Sequence, residues 1–265
     1  DTTSNIEDAG QQVASHFKGG ITFNNVYFSY VKDEEVLKGV SFIVKVGTTV
    51  AIVGATGAGK STIINLLNRF YDINSGEILI DNINVKDLTL TSLRNQIAVV
   101  LQDVFLFADT ILNNITLNNP NISEAEVQQA GKQIGIHDFI MSLPNGYHYN
   151  VKERGAMLSS GQRQLIAFLR AYVSNPSILV LDEATSSVDS NSEYLIQKAI
   201  NKITKGRTSI VIAHRLATIK KADKIIVMEK GKIVEMGSHK ELLQVENGHY
   251  RNLHEVQFAA NQEPA

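Results

Sequence analysis

A glycine-rich stretch has the G-x-x-x-x-G-K-S/T spacing of a phosphate-binding loop. Such a loop has little side-chain bulk, so its backbone N–H groups can converge on an anion at the positive end of a helix. Lys60 is expected to place its charge on the terminal phosphates. The Ser61 hydroxyl suits Mg²⁺, which prefers oxygen ligands, with Thr62 as the alternative hydroxyl. This phosphate loop comprises Gly54, Ala55, Thr56, Gly57, Ala58, Gly59, Lys60, Ser61 and Thr62.

The segments around the phosphate loop fit the order strand, loop, helix. Residues 48–53 form a short apolar, β-branched run, which is typical of a buried strand. Apolar residues then recur with a helical period up to Phe70. This context makes a simple glycine-rich turn the weaker interpretation.

Two acidic residues follow the most continuous apolar β run, residues 178–181. Asp182 and Glu183 are adjacent, so in a strand their side chains point to opposite faces and can have different roles. Asp182 suits the ligand shell of a metal ion, and Glu183 suits a water molecule. The alternative is a pair of acids that only caps a helix.

Three further residues stand at the ends of predicted strands or in a turn. Tyr30 lies in a charged turn, where an exposed ring could stack on a flat base or be an ordinary surface tyrosine. Gln102 follows the apolar run 97–101, and His214 follows the run 208–213. Ligands collect at the carboxyl ends of strands in open α/β sheets. Taken singly, Gln102 also fits an ordinary surface residue and His214 a structural histidine.

Residues 158–162, Leu-Ser-Ser-Gly-Gln, form a second candidate anion site, which we call the serine turn. From Gln162 to Tyr172 the apolar residues recur with a helical period. A small, hydroxyl-bearing turn at a helix start can bind an anion, or it can simply cap the helix.

The length, charge and composition of the chain argue against some classes of function. The chain has 265 residues, a formal net charge of −2 and no cysteine. Nucleic-acid-binding domains usually carry a strongly basic face, so no nucleic-acid partner is expected. No apolar run approaches the roughly 20 residues that span a bilayer, so we expect the chain itself to be soluble. It begins at Asp1 without methionine, which suggests a processed protein or a segment of a longer polypeptide.

The order of the predicted elements indicates an α/β fold. Residues 1–18 are polar and aperiodic, as in a linker, and a β-rich layer follows. From about 103 to 175 the pattern is helical, with a capping box at Ser123. Residues 224–235 resemble a closing hairpin, and a disordered tail is expected over 257–265.

Taken together, these stretches resemble the nucleotide-binding domain of ATP-binding cassette (ABC) transporters, from Ile21 to about Glu255. Such a domain is therefore expected over residues 19–256. The phosphate loop, Gln102, the serine turn, the acidic strand, the Ser186-Ser187-Val188-Asp189 segment and His214 occur in the family's order. The resemblance implies a P-loop NTPase core with a mostly parallel sheet, an N-terminal antiparallel β-subdomain and an inserted α-helical subdomain.

The resemblance also implies roles for these residues. Tyr30 would stack on adenine, Lys60 and His214 would contact the γ-phosphate, and Glu183 would be the general base or orient the attacking water. The metal ligands would be Ser61, Gln102 and Asp182. Residues that would serve the nucleotide of a partner domain, in trans, are Ser159, Ser160, Gly161 and Gln162, and Asp189 would form the D-loop.

Within the family, the exporter branch fits best, because residues 151–155 resemble the loop that contacts the coupling helices of the membrane domain. Three positions depart from the family pattern: Ser160 and Lys152 stand where glycine is usual, and Ser187-Val188 replaces Ala-Leu. Ser160 puts the hydrolysis rate in question more than the fold.

The resulting prediction is Mg²⁺-dependent ATP hydrolysis that drives export at the cytoplasmic face of a membrane. The expected partners are ATP, a transmembrane domain and a second nucleotide-binding domain. A DNA-repair or translation ATPase would usually add a coiled coil or a second cassette. A regulatory module without turnover would not need Glu183 and His214, and an importer subunit fits residues 153–155 less well.

Overall fold

A computed structural model describes residues 6, 8, 10–14, 16–183 and 190–256. Within these residues, the strands are β1 Ile21–Ser29, β2 Glu35–Val44, β3 Thr49–Val53, β4 Ser75–Ile80, β5 Ile83–Asn84, β6 Ile97–Val100, β7 Ile178–Asp182, β8 Thr208–Ile212, β9 Lys224–Glu229 and β10 Lys232–Gly237. They form two sheets. The first is antiparallel and has the order β2-β1-β4-β5.

The second sheet contains the phosphate-loop strand β3 and has the order β10-β9-β3-β8-β7-β6. Strands β9, β3, β8, β7 and β6 run parallel, and only β10 pairs antiparallel, with β9. The carboxyl ends of β3, β7 and β8 therefore lie side by side at one edge of the sheet. This placement brings the phosphate loop, the acidic pair and His214 to the same region.

The helices are α1 Lys60–Leu67, α2 Leu90–Asn95, α3 Ile111–Thr116, α4 Glu124–Ile134, α5 His137–Met141, α6 Ser160–Val173, α7 Ser190–Ile203, α8 Leu216–Lys221, α9 His239–Leu243 and α10 His249–His254. Helices α3 to α6 are inserted between β6 and β7, as the sequence predicted. Two short 3₁₀ turns, Gly146–His148 and Glu153–Gly155, connect α5 to α6.

The parallel sheet separates two apolar cores. Val50 and Ile52 of β3 face a core shared with the antiparallel sheet and α1. Ala51 and Val53 face the other core, which includes the inserted helices. Since successive strand residues point to opposite faces, β3 must be apolar along its whole length. This explains the continuous apolar run before the phosphate loop.

Helix α1 is shorter than the sequence pattern predicted. It ends at Leu67, and Arg69 takes a left-handed backbone conformation with φ 50°. The side chain of Phe70, which we expected on the buried face, is 42% exposed and lies under the Arg94 guanidinium. The apolar period continued past the point at which the backbone left the helix.

The segment before β1 contacts the domain, although the boundary at residue 18 remains a prediction. Gln12 forms a parallel bridge to Leu88, and Phe17 is buried. The Asp81 carboxylate accepts backbone hydrogen bonds from Lys18, Gly19 and Gly20. Among the described residues, no helix is both long and apolar enough to cross a membrane.

Candidate functional site

The phosphate loop follows a backbone path that requires glycine. Gly54 has φ 147°, and a Cβ atom there would lie 2.2 Å from the carbonyl oxygen of Met228. At Gly59, with φ 100°, a Cβ atom would lie 2.7 Å from a methyl group of Leu37. Gly57, with φ 80°, has open space around it. The first turn of α1 has no side-chain cap, so its N–H groups are available to an anion.

Lys60 begins α1 and folds back over the loop. Its ammonium group donates hydrogen bonds to the carbonyl oxygens of Gly54, at 2.8 Å, and Ala55, at 2.9 Å. The residue is only 8% exposed. Burial lowers the pKa of Lys60, and the nearby Asp182 carboxylate opposes this effect. The structure thus places a poorly hydrated cation directly at the loop, where it interacts strongly with a phosphate.

Tyr30 stands beside α1 with its ring 44% exposed, as the sequence predicted. The rings of Phe28 and Tyr71 meet it edge-on, at centroid distances of 4.7 and 4.9 Å. Its hydroxyl donates to the Thr62 hydroxyl at 3.2 Å and accepts from Asn65 at 3.1 Å. These contacts fix the ring next to the phosphate loop while leaving part of it open to a planar ligand.

Asp182 ends β7, opposite Ile212 of β8. Its carboxyl group is partly buried; burial raises its pKa, and the charge of Lys60 opposes the shift. Asp182 and Lys60 are therefore close enough to interact electrostatically, as required if both serve the same phosphate chain.

Glu183 is buried, with 1% of its surface exposed, and both carboxylate oxygens are hydrogen-bonded. Oε2 accepts from the backbone N–H groups of His214, at 3.0 Å, and Arg215, at 3.1 Å. Oε1 accepts from the Thr218 hydroxyl at 2.5 Å. Burial raises the pKa of Glu183, while the hydrogen bonds from Thr218 and His214 and the charge of Arg215 oppose the shift. Sequence reasoning missed Thr218, because no local pattern distinguishes it from a helix-surface threonine.

The His214 side chain is half-buried at the end of β8. Burial and the charge of Lys60 lower the pKa of its imidazole, which favours the neutral form. A neutral imidazole carries one N–H donor and one acceptor. Lys60 interacts with both Asp182 and His214, and Glu183 accepts from the His214 N–H. The structure thus brings these four residues together at the carboxyl end of the parallel sheet.

The serine turn lies at the start of α6 and is organised differently. Ser159 is the N-cap of α6 and forms a capping box with Gln162. The Ser159 hydroxyl accepts from the Gln162 N–H at 3.2 Å, and the Gln162 side chain accepts from the Ser159 N–H at 3.0 Å. Ser159 and Ser160 are exposed, and Gly161 is buried. Leu158 bonds outside the turn, donating its N–H to the Gly155 carbonyl at 2.9 Å and accepting from the Arg163 guanidinium at 2.7 Å. Among the described residues, no hydrogen bond joins the turn to the phosphate loop.

For two other predicted site residues, Gln102 and Asp189, the structure shows little or nothing of the contacts. Gln102 is exposed just beyond β6. Asp189, with Ser186, Ser187 and Val188, lies outside the described residues. The proposed metal ligands, a hydroxyl, an amide and a carboxylate from Ser61, Gln102 and Asp182, all offer oxygen atoms. This donor set fits Mg²⁺, whereas the described residues contain no cluster of three or more histidines or acidic groups that could hold a metal ion.

An apolar groove of about 540 Å³ runs beside β6 and the inserted helices. Four of its large side chains are about half exposed: Leu101, Phe105, Phe107 and Leu117. The buried Asn114 side chain fixes the chain here by accepting from the Phe107 N–H, at 2.8 Å, and donating to the Phe107 carbonyl, at 3.0 Å. The two aromatic rings are thus presented to solvent from a fixed backbone.

Lys152, one of the positions that depart from the family pattern, has φ 60°. That conformation favours glycine, which explains in physical terms why glycine is usual here. It precedes the 3₁₀ turn Glu153–Gly155, in which Arg154 also has a positive φ of 52°.

Comparison with known proteins identifies the family. The family model described as ABC transporter matches residues 37–186. A putative multidrug export ATP-binding/permease protein of Bacillus subtilis, YgaD, is 49% identical over 92% of this chain. An ATP-dependent lipid A-core flippase of Saccharophagus degradans is 49% identical over 95%. The chain spans only 42% and 43% of these two relatives.

A solved structure gives the same result for the fold. The structure of a bacterial Atm1-family ABC exporter with ATP bound matches 99% of this chain and 45% of that one. The TM-score is 0.85 at 43% sequence identity. The P-loop core with an antiparallel β-subdomain and a helical insertion, expected from the sequence, is confirmed.

Proposed function

Because the chain belongs to the ABC transporter family, as an exporter-type nucleotide-binding domain, we propose that it hydrolyses ATP with Mg²⁺ to drive export. ATP-binding domains of ABC exporters are ATPases. The observation that carries the proposal is the convergence of Lys60, Asp182, Glu183 and His214 on the edge of the sheet that bears the phosphate loop. Residues 19–256 would form the nucleotide-binding domain, and residues 1–18 a linker to a preceding domain.

The chemistry is phosphoryl transfer to water, in which catalysis depends on positioning and on stabilising charge. Tyr30 stacks on the adenine ring, while the N–H groups of the phosphate loop and Lys60 hold the phosphates. His214 contacts the γ-phosphate through an imidazole N–H group. Glu183 accepts a proton from the attacking water or orients that water.

Ser61, Gln102 and Asp182 would hold Mg²⁺. When bound, the ion neutralises charge that develops on the phosphate oxygens. Burial raises the pKa of Asp182 and the charge of Lys60 opposes that shift, so the two groups lie close enough to act on the same phosphate chain.

We further propose that two such domains enclose two ATP molecules head to tail. Ser159 supports this, since its hydroxyl oxygen accepts the capping bond while its single hydrogen remains able to donate. Exposed Ser159 and Ser160 would donate to the phosphates of the partner domain, and Asp189 would lie at the same interface. The partner domain would be an identical or a homologous chain.

The apolar groove supports a second contact, with the transmembrane domain of the same transporter. Exposed Phe105 and Phe107 provide the large apolar side chains on which a short helix could dock. Residues 151–155 would form part of the same contact. This arrangement would place the domain at the cytoplasmic face of the membrane, where ATP is available.

Replacing Glu183 with glutamine tests the proposed chemistry. Glu183→Gln should bind ATP but hydrolyse it about 10²–10⁴-fold more slowly, since it loses the basic carboxylate. Phosphate release and ATP affinity would be measured beside Glu246→Gln, an exposed acid that should leave both unchanged. Normal turnover by Glu183→Gln would contradict the role of Glu183.

The same variant tests the proposed head-to-tail dimer. Trapped with Mg-ATP, Glu183→Gln should double in mass by light scattering, and a further Ser159→Ala change should weaken this dimer. A monomer at every protein concentration, with and without Mg-ATP, would overturn the head-to-tail arrangement while leaving ATP binding untouched.

A further inference from the structure

Thr218 is the only side chain, among the described residues, that donates a hydrogen bond to Glu183. The other two donors are backbone N–H groups of His214 and Arg215. Thr218 lies in α8 and is 4% exposed, so this contact is shielded from water. A hydrogen bond to a carboxylate in such surroundings is stronger than one at the surface.

A second residue sets the direction of the Thr218 hydroxyl. The side-chain amide of Gln197, in α7, donates to the Thr218 oxygen at 3.1 Å. A hydroxyl group has a single hydrogen, and an ionised carboxylate can only accept. With the amide hydrogen directed at its oxygen, Thr218 must direct its own hydrogen toward Glu183. Gln197 and Thr218 therefore form a chain of two hydrogen bonds that ends on Oε1.

The three donors are divided unequally between the carboxylate oxygens. Oε2 accepts two backbone hydrogen bonds, which occupy both of its lone-pair directions. Among the described residues, Oε1 accepts one hydrogen bond, from Thr218, which leaves its second lone-pair direction without a donor. Since both oxygens are held, the carboxylate plane cannot rotate freely. Oε1 is therefore the oxygen able to receive a proton, and Thr218 determines where its free lone pair points.

We propose that Thr218, oriented by Gln197, is a positioning residue for the Glu183 carboxylate. The inference rests on the proposed role of Glu183 in hydrolysis. Neither Thr218 nor Gln197 needs to contact ATP. Both act by restricting the orientation of the group that receives the proton, and a small misplacement of a reacting group can cost about 10²-fold in rate.

Kinetics of two variants of the full chain test this role. Thr218→Val keeps the shape but removes the donor, so kcat should fall about 10- to 100-fold while KM for ATP stays unchanged. Thr218→Ser keeps the donor and should retain most of kcat. A fall in kcat that is equal for valine and serine, or a change confined to KM, would overturn the proposal.

Gln197 provides an independent test that does not alter Thr218. Gln197→Leu removes the amide that orients the Thr218 hydroxyl, so kcat should fall, but by less than in Thr218→Val because the hydroxyl can still reach Glu183. Gln197→Glu adds an acceptor that competes for the same hydrogen, so it should lower kcat to nearly the level of Thr218→Val. Equal kcat for the leucine and glutamate variants would contradict the assigned direction of the hydrogen bond.

A double variant separates positioning from structural damage. In a Glu183→Gln background there is no basic carboxylate to orient, so adding Thr218→Val should leave the residual rate unchanged. A further fall would indicate a structural role for Thr218. If Glu183→Gln alone turns over normally, the role of Glu183 fails; if it is slow while Thr218→Val has normal kcat, only the role of Thr218 fails.

Discussion

The phosphate loop and the serine turn both present the start of a helix, but they are built by opposite means. In the phosphate loop, Gly54 and Gly59 leave out side chains that would collide with Met228 and Leu37. Helix α1 has no side-chain cap. In the serine turn, the Ser159 side chain caps α6 and forms a capping box with Gln162.

The difference shows how each region can meet a phosphate. The phosphate loop offers backbone N–H groups and the buried Lys60 ammonium, so it forms a cradle from its own backbone. In the serine turn, the capping box occupies the N–H groups of Ser159 and Gln162. An anion could then meet the exposed serine hydroxyls and the other N–H groups of the first turn. The first region would bind a nucleotide by itself, whereas the second is suited to complete a site on another molecule.

The largest expected effect comes from placing a side chain in the phosphate loop. Gly54→Ala should destabilise the domain by more than about 3 kcal/mol, because its Cβ atom would meet the Met228 carbonyl and its φ of 147° is strained. ATP binding should be lost with it. Urea unfolding and ATP titration would measure both effects.

Gly57→Ala is the matched control within the loop. Its φ of 80° is also unfavourable to alanine, but no atom lies within 4 Å of the added Cβ. A cost of about 1–2 kcal/mol is expected, from backbone strain alone. Equal losses for Gly54→Ala and Gly57→Ala would show that crowding does not define the loop.

Sequence patterns predicted the local structure of these two regions, the strand before the phosphate loop and the two helix starts, for a physical reason. A buried parallel strand must be apolar along its length, and glycine, serine and glutamine at fixed offsets mark loops and caps. The capping boxes at Ser123 and Ser159, and the strand before the phosphate loop, follow from residues close together in the chain. Local spacing is sufficient in such cases.

Contacts between distant segments could not be predicted in this way. Thr218 reaches Glu183 across 35 positions, and Phe17 is buried although its polar segment has no period. The predicted end of α1 was wrong, because the left-handed conformation of Arg69 ends the helix before the apolar period reaches Phe70. The position of Glu183 in the chain suggested contact with water, but not the three donors that hold it.

An intermediate effect on stability and turnover is expected when the serine turn is altered. The capping box of α4 provides a matched control. Ser159→Ala and Ser123→Ala each remove the serine of a capping box, and each should cost about 1 kcal/mol of stability. Only Ser159→Ala should also lower ATP turnover, because only Ser159 would meet the partner's nucleotide. Thermal unfolding and phosphate release would be measured on both. Equal turnover in the two variants would reduce the serine turn to a helix cap.

The smallest expected effect is a difference in how the capping boxes of α4 and α6 make stability depend on pH. The box in α4 contains Glu126, whose pKa is lowered by hydrogen bonds from the Ser123 backbone and hydroxyl, whereas the box in α6 contains the uncharged Gln162. A carboxyl group with a lowered pKa in the folded state stabilises the fold above its unfolded pKa, and this contribution is lost as the pH falls through the folded value.

The Tm of the natural chain should therefore fall slightly more than that of Glu126→Gln between about pH 6 and about pH 3. The reverse change, Gln162→Glu, should make the Tm more sensitive to acid, because it creates in α6 the titratable box that α4 already has. Identical pH profiles for the natural chain and both variants would mean that the charge of the third residue adds nothing to either cap.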